Sequence, residues 1–300
     1  LEFRGTGATE NSTSTYESFG GAEKTIREIA TLASVSVAST YEFANQDRDS
    51  VSIGASHSMS HGRKYEYLTN SSSTVFAGAN LRLGKVTLSP NLRVSETLAK
   101  TAADTNTTSG GVSVNYAIPG NLQSYAAANY NIINKVSSAT FTTADQNDGH
   151  SRIYRAGVSR RIEDRFTIFA EVNRSTFNPT ETRRTPGTNA FLQLMANAST
   201  TNGGTVGLTV SPSQFSRVTA SLASSKTKYP NLEPTSQKFR QDSQTRMSLG
   251  FQVSGAAFSD RLGGMTFGIN ASTTKNDSNI MQYDYKRSDV SMTLSYQIAE

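Results

Sequence analysis

The 300-residue chain contains no cysteine and no tryptophan, and no apolar run in it approaches the roughly 18–20 residues that cross a bilayer as a helix. The lack of cysteine removes disulfide frameworks, thiolate zinc sites and cysteine nucleophiles, and it suits a compartment where stray thiols would be oxidised. The lack of long apolar runs excludes a helical membrane protein. Hydrophobic residues, at 35%, and charged residues, at 18%, are both scarcer than in an ordinary soluble domain. No charged segment followed by an apolar one opens the chain, so it reads as a mature protein or a fragment, without its signal peptide or any N-terminal periplasmic segment.

Small polar residues fill the gap. Ser and Thr make up about a quarter of the chain, beside 22 Gly. Disorder is excluded because the net charge is only +5, and 14 Phe and 12 Tyr are spread along the sequence.

Apolar and polar residues alternate almost without pause. Val35, Val37, Tyr41 and Phe43 oppose Ser34, Ser36, Thr40 and Glu42; Val51, Ile53, Ala55 and Met59 oppose Ser52, Gly54, Ser56 and Ser58. Leu81 and Leu83 oppose Asn80 and Arg82, and Leu92 and Val94 oppose Asn91, Arg93 and Ser95. Helices would place apolar residues at i, i+3, i+4 and i+7; a period of two marks strands with one apolar and one polar face. Runs of this kind cover 1–8, 33–43, 50–60, 75–83, 86–95, 111–118, 122–132, 152–162, 166–175, 205–210, 217–228, 246–253, 265–272 and 289–298, which gives about 14 strands. A further alternating stretch, 188–199, reads as the outer continuation of the strand that ends at Val210.

Connections alternate in length. The short ones are 45–49, 84–85, 119–121, 163–165, 211–216 and 255–264; the long, polar ones are 62–70, 99–108, 137–150, 176–187, 229–243 and 273–287. Short turns at one rim and long loops at the other describe an up-and-down outer-membrane barrel. A soluble sandwich would bury both apolar faces and need larger core residues. In a barrel every second residue meets lipid and the others line a wet lumen, so a low apolar content and a mean hydropathy of −0.45 are compatible with a membrane protein. Without Trp, the interfacial girdle must come from Tyr and Phe near strand ends: Tyr41, Phe43, Tyr65, Tyr67, Tyr116, Tyr130, Phe166, Phe177, Tyr229, Phe267, Tyr283, Tyr285 and Tyr296.

The segment from Asp277-Ser278-Asn279-Ile280 through Tyr283-Asp284-Tyr285-Lys286-Arg287 into the strand ending at Tyr296 resembles the last hairpin of the β-barrel porin 2 and surface lipoprotein assembly modifier groups. The resemblance covers some 20 residues and implies a one-chain barrel working in permeation or export. The chain departs from it by ending without a closing Phe or Trp and by showing no helical-repeat domain, which counts against a dedicated lipoprotein or polysaccharide exporter.

The residues that could carry catalysis are sparse. His57 and His61 lie four apart, about 13 Å at strand rise, too far for one metal. Ser56 and Ser58 point to the face opposite His57, so neither partners it, and His150 follows Asp148 in a loop. The Gly pairs at 20–21, 110–111, 203–204 and 263–264 precede no βαβ helix, so nucleotide binding is unsupported. Lys and Arg do not cluster with aromatics, which argues against nucleic acid. Arg183-Arg184 in an outer loop reads as solvated, with contact to anionic lipopolysaccharide as the other option.

The informative charges lie mid-strand on the polar face: Arg82, Arg93, Arg155, Arg161 and Arg246, against Glu42 and Glu171. An arginine facing lipid costs about 2–4 kcal/mol at the midplane, so these side chains should line the lumen. They would then favour anions, unless Glu171 pairs with Arg155 or Arg161 and merely braces the wall. The expectation is one outer-membrane barrel domain over 1–300, located in the bacterial outer membrane and not an enzyme, with no cofactor and no metal. It would act as a passive porin or export channel for small solutes or a polymer, in contact with lipid and lipopolysaccharide. The alternative is an adhesive surface protein that uses the barrel as its anchor.

Overall fold

The computed structural model describes residues 2–18, 23–42, 49–62, 69–99, 104–136, 148–180, 198–233, 236–259 and 262–299, with side chains for 49–59, 69–99, 104–134, 148–180, 198–233, 236–259 and 262–294. Fourteen strands follow one another: β1 (Glu2–Ser18), β2 (Glu23–Glu42), β3 (Ser50–Gly62), β4 (Asn70–Leu83), β5 (Val86–Ala99), β6 (Asp104–Ile118), β7 (Leu122–Val136), β8 (Gly149–Ile162), β9 (Phe166–Pro179), β10 (Ser199–Ser213), β11 (Ser216–Leu232), β12 (Phe239–Ser254), β13 (Met265–Ser278) and β14 (Tyr285–Ala299). Each pairs antiparallel with its neighbours in the chain, and β1 pairs with β14 from Arg4↔Ala299 to Ser18↔Tyr285, so the sheet closes on itself. Closure leaves no open edge whose N–H and C=O groups would face hydrocarbon.

Within the described residues the fourteen alternating runs fall on these strands, and the tight turns stay on one rim, although the link 255–264 on that rim is longer than 233–238 and 279–284 on the other. The rim with tight turns carries 84–85, 119–121, 163–165 and 214–215, plus the longer link 255–264, which is begun by a 3-10 turn at Gly255–Ala257. Asn121, Glu163 and Asp164 take positive φ there, as such short connections demand. Of the stretch 188–199, only Ala198 and Ser199 lie within the described residues, and Ser199 opens β10.

At the other rim the strands run further than apolar alternation indicates. β6 begins at Asp104 inside the expected loop 99–108, β11 continues to Leu232, and β13 and β14 leave only six residues between Ser278 and Tyr285. Beyond the apolar band both faces of a strand are polar. Lys226 and Lys228 face outward there while Tyr229 meets Asp242 across the inner face, so the hydrophobic signal fades although the ladder continues.

Nothing here resembles a packed globular core. Among the described residues the buried apolar side chains are only Ala198 and Ile280, whereas Ile53, Val75, Val172 and Leu249 are more than half exposed. These side chains form an outward band that runs from Val86 to Val94 on β5 but only from Val218 to Leu222 on β11. A band of this kind is stable against lipid, not water. Tyr116, Tyr130, Phe166 and Phe267 belong to its outward face, as a girdle requires. Phe177, Tyr229 and Tyr285 do not: their ladder positions put them on the polar face, and Tyr283 lies in the turn after β13 with its ring against Arg240. Phe43, Tyr65 and Tyr67 lie outside the described residues, as do the side chains of Tyr41 and Tyr296.

Candidate functional site: the polar wall

Ladder register decides which way each expected charge points. Arg93 sits between outward Leu92 and Val94 and pairs with Phe76 and Ser109. Arg155 pairs with Ala127 and Asn173, Glu171 with Gly157 and Thr205, and Arg246 with Ala223 and Thr274. Arg82 and Arg161 stand on the same polar face close to the tight-turn rim, opposite Thr87 and Thr167. Glu42 ends β2 opposite Ser50, and its side chain is outside the described set. Arg93, Arg155 and Arg246 lie near mid-strand on β5, β8 and β12, well spread around the circumference. Fourteen strands spaced about 4.8 Å and tilted about 40° give a backbone diameter of roughly 28 Å, so these three guanidinium groups face each other across solvent.

The wall is finished by small side chains and by larger ones laid flat. A concavity of about 410 Å³ is lined by Ser221, Arg246, Ser248, Asn270, Ser272 and Asp289, among others. Another, of about 540 Å³, opens at the tight-turn rim beside Arg161, Arg165 and Arg217. On β7, Tyr125 lies across Gly157 of β8 and its hydroxyl donates to the Glu171 carboxylate on β9. A Cβ on Gly157 would stand 2.5 Å from the Tyr125 ring and 2.9 Å from the Ala170 carbonyl oxygen, so only glycine permits this approach.

The expected bracing of Glu171 by Arg161 is not what forms. Arg161 turns to the rim and pairs with Asp164 at 3.1 Å, because the tight turn brings that carboxylate within three residues. The hydrogen-bond partner of Glu171 is the Tyr125 hydroxyl, while Arg155 stands one diagonal step away on β8.

Several residues of this wall escape a reading of the apolar runs. Arg217 shares the parity of Thr219 and Ser221 and lay at the edge of its run. Arg287 and Asp289, joined at 2.7 Å, share the parity of Ser291; Asp289 already opened the run 289–298, and extending it by two residues would have added Arg287. At the long-loop rim Arg240 contacts the Asp242 carboxylate through Nε and Nη2 at 2.6–3.1 Å and is stacked between Tyr229 and Tyr283, 4.5 and 3.4 Å from the ring centroids. Tyr283 also donates to Glu233, which is buried. The neighbouring Asn279 accepts from the Gln241 N–H and donates to the Phe239 carbonyl, both at 2.8 Å, tying the last hairpin to the β11–β12 loop.

With these pairs made, the charge balance is clear. Arg161, Arg240 and Arg287 are each joined to an aspartate. Among the described residues no carboxylate lies within ion-pair distance of Arg82, Arg93, Arg155, Arg217 or Arg246.

Among the described residues His57 and His150 assemble no catalytic group. His57 faces outward between Ala55 and Met59, and its Nδ1 lies 2.9 Å from Ser73 Oγ on β4. The acid nearest in register, Glu96, pairs with Ser73 on its far side, so no carboxylate orients the imidazole as a relay needs. His150 packs against Tyr130 at 5.9 Å, and the His61 side chain lies outside the described residues. Among the described residues no three His, Asp or Glu side chains are grouped to hold a metal.

No protein-family model matches the chain, and no curated protein matches it significantly in sequence. Solved structures do. An anion-selective porin from Comamonas acidovorans superposes with a TM-score of 0.56 at 9% identity, over 99% of this chain and 98% of that one. OmpT, an outer membrane protein of Vibrio cholerae folded in vitro, gives 0.52 at 8% identity over 99% and 96%. The outer membrane channel DcaP of Acinetobacter baumannii gives 0.50 at 9% identity over 99% and 96%. Identities this low speak for the fold, and the fold is that of a bacterial outer-membrane β-barrel.

Proposed function

We propose that this barrel is a passive channel whose positively charged wall favours anions, with no bond made or broken. The observation that carries the reading is the set of wall arginines, Arg93, Arg155, Arg217 and Arg246, with no carboxylate partner among the described residues, joined by Arg82, whose guanidinium makes no ion pair although its backbone N–H donates to Asp49. In a bore with low-dielectric walls, fixed charges of one sign concentrate mobile counter-ions. The lining proposed from sequence, Arg82, Arg93, Arg155, Arg161, Glu171, Arg246 and Glu42, is carried forward with Arg217, Arg287 and Asp289 added. The likeness to a porin described as anion-selective is one of fold, and the direction of selectivity is argued from the wall charges alone. The single barrel is proposed to be the whole of this chain's functional domain. Kinship with the porin 2 and lipoprotein assembly modifier barrels is proposed through the hairpin at 277–296.

Planar-bilayer recording under a KCl gradient tests this. The expected reversal potential has the sign of chloride preference, and combining Arg93→Gln, Arg155→Gln and Arg246→Gln moves it toward that of a non-selective pore. Cation preference, or a folded barrel that conducts nothing, would overturn the reading and favour a surface anchor.

A further inference from the structure

Cations also stand on the outside of the barrel, and among the described residues four of them gather on β8–β11. Two adjacent ladder rows cross β8–β11 just beyond the apolar band. One runs Arg152–Thr176–Thr200–Lys228, the other Tyr154–Arg174–Asn202–Lys226. Both lie on the outward face, in phase with Val172, Val206 and Leu222. Arg152, Arg174, Lys226 and Lys228 are exposed, and among the described residues none has a carboxylate within ion-pair distance. The acid nearest along the second row, Asp277 on β13, is already held by Lys275 at 2.8 Å.

At the long-loop rim β13 and β14 add one outward pair, Lys275 and Lys286, of which Lys275 is held by Asp277, so the four cations of β8–β11 are the denser group. At the same rim the outward positions of β4–β7 carry Ser71, Ser73, Glu96, Asn106, Thr108 and Asn134, with no cation. Nor does the tight-turn rim repeat it, since there the outward cation of β8 is Arg160 alone, among Ile162, Phe166 and Ile168.

The spacing suits a phosphorylated head group. Arg174 and Lys226 are two strands apart, about 10 Å between backbones, and Arg152 and Lys228 about 14 Å. Between them Thr176, Thr200 and Asn202 offer hydroxyl and amide groups. Directly beneath Asn202 is Gly204, which leaves the wall shallow between Val172 and Val206; an added Cβ there would meet the Glu171 carbonyl oxygen at 3.3 Å and Val172 at 3.9 Å. Phosphates would meet the cations by charge-assisted hydrogen bonds while an acyl chain lies along the groove over Gly204.

We infer that this outer patch is a binding site for a phosphorylated glycolipid of the outer leaflet, a lipopolysaccharide held by its saccharide phosphates. The inference rests on the barrel spanning the outer membrane with its long loops outward, and not on the channel being anion-selective.

The test is binding of a purified bisphosphorylated short-core lipopolysaccharide to the full folded protein in detergent micelles, read by native mass spectrometry. Arg174→Gln, Lys226→Gln and Lys228→Gln together should weaken binding at least tenfold, and Arg174→Gln alone severalfold. Enzymatic dephosphorylation of the glycolipid should weaken it as much, while Arg160→Gln should leave it unchanged. Heat-modifiable gel migration reports whether each variant folds, and unchanged conductance separates this site from the lumen. Equal affinity of the triple variant, equal affinity of the dephosphorylated lipid, or phosphatidylglycerol binding as tightly as the glycolipid would each overturn the inference.

Discussion

The Tyr125 hydroxyl on β7 reaches over the intervening strand to donate to the Glu171 carboxylate on β9. Three strands are thus linked on the inner face by one hydrogen bond, and Gly157 on β8 is the residue whose lack of a side chain permits it.

Gly157→Val should therefore unfold more easily. The new side chain must displace the Tyr125 ring and meets the Ala170 carbonyl oxygen, an overpacking that costs about 1–3 kcal/mol. Urea unfolding in micelles, followed by gel migration or tyrosine fluorescence, should show a lower midpoint with little change in slope. An unchanged midpoint would mean that the ring is not fixed over this glycine.

Charge substitutions on the wall should act in opposite directions. Glu171→Gln removes one of the few acidic groups facing the lumen and should raise anion preference, whereas Arg155→Gln, one diagonal step away, should lower it. Reversal potentials of the two variants under the same gradient settle the sign. Shifts in the same direction would contradict a wall-charge mechanism.

Arg240 should matter more than an ordinary surface arginine. Its partner Asp242 is only 8% exposed, so Arg240→Ala leaves a carboxylate with little water to replace the lost fork, at a cost of about 2–4 kcal/mol. Arg240→Lys should recover only part of this, because an ammonium cannot both fork to the carboxylate and stack flat between Tyr229 and Tyr283. Limited proteolysis of the long-loop rim should become faster in the order wild type, Lys, Ala.

The same cluster should show a pH dependence. Tyr229 lies beyond the apolar band. Burial, opposed by the Arg240 guanidinium and reinforced by the Asp242 carboxylate, holds its phenol above the ordinary 10.0. A raised folded-state pKa contributes stability that is fully present below pH 10 and is lost as pH rises through the folded value. Tyrosinate absorbance of the wild type minus Tyr229→Phe should reveal one phenol titrating late. Protease resistance of the rim should decline only at those alkaline pH values.

The fold was legible because lipid and water act on opposite faces of each strand, and residues such as Val51, Ser52, Ile53 and Gly54 record that difference one position at a time. The same signal fails where both faces are wet, which is why 104–108, 229–232 and 273–278 read as loops although their ladders continue. The partner of Glu171 was not legible for another reason. It depends on register across β7, β8 and β9, and Tyr125 lies 46 residues away in sequence. Asp164 is only three residues from Arg161, but it lies in the turn, outside the alternation that marks the mid-strand charges. The last hairpin's Asn279 and Asp284 drew notice by resemblance alone, and their work is local: Asn279 bridges to Gln241 and Phe239, and Asp284 accepts from the Ser278 N–H.

The unequal outward band has a consequence for the bilayer itself. Along β5 it extends about 26 Å of strand from Val86 to Val94, but along β11 only about 13 Å from Val218 to Leu222. Lipid cannot match both heights with one thickness, so acyl chains beside β11 must shorten or splay, each ångström of mismatch costing a fraction of a kcal/mol. The apolar contour this barrel offers to lipid is therefore uneven around its circumference, stepping down where Ser224 and Lys226 follow Leu222 on β11.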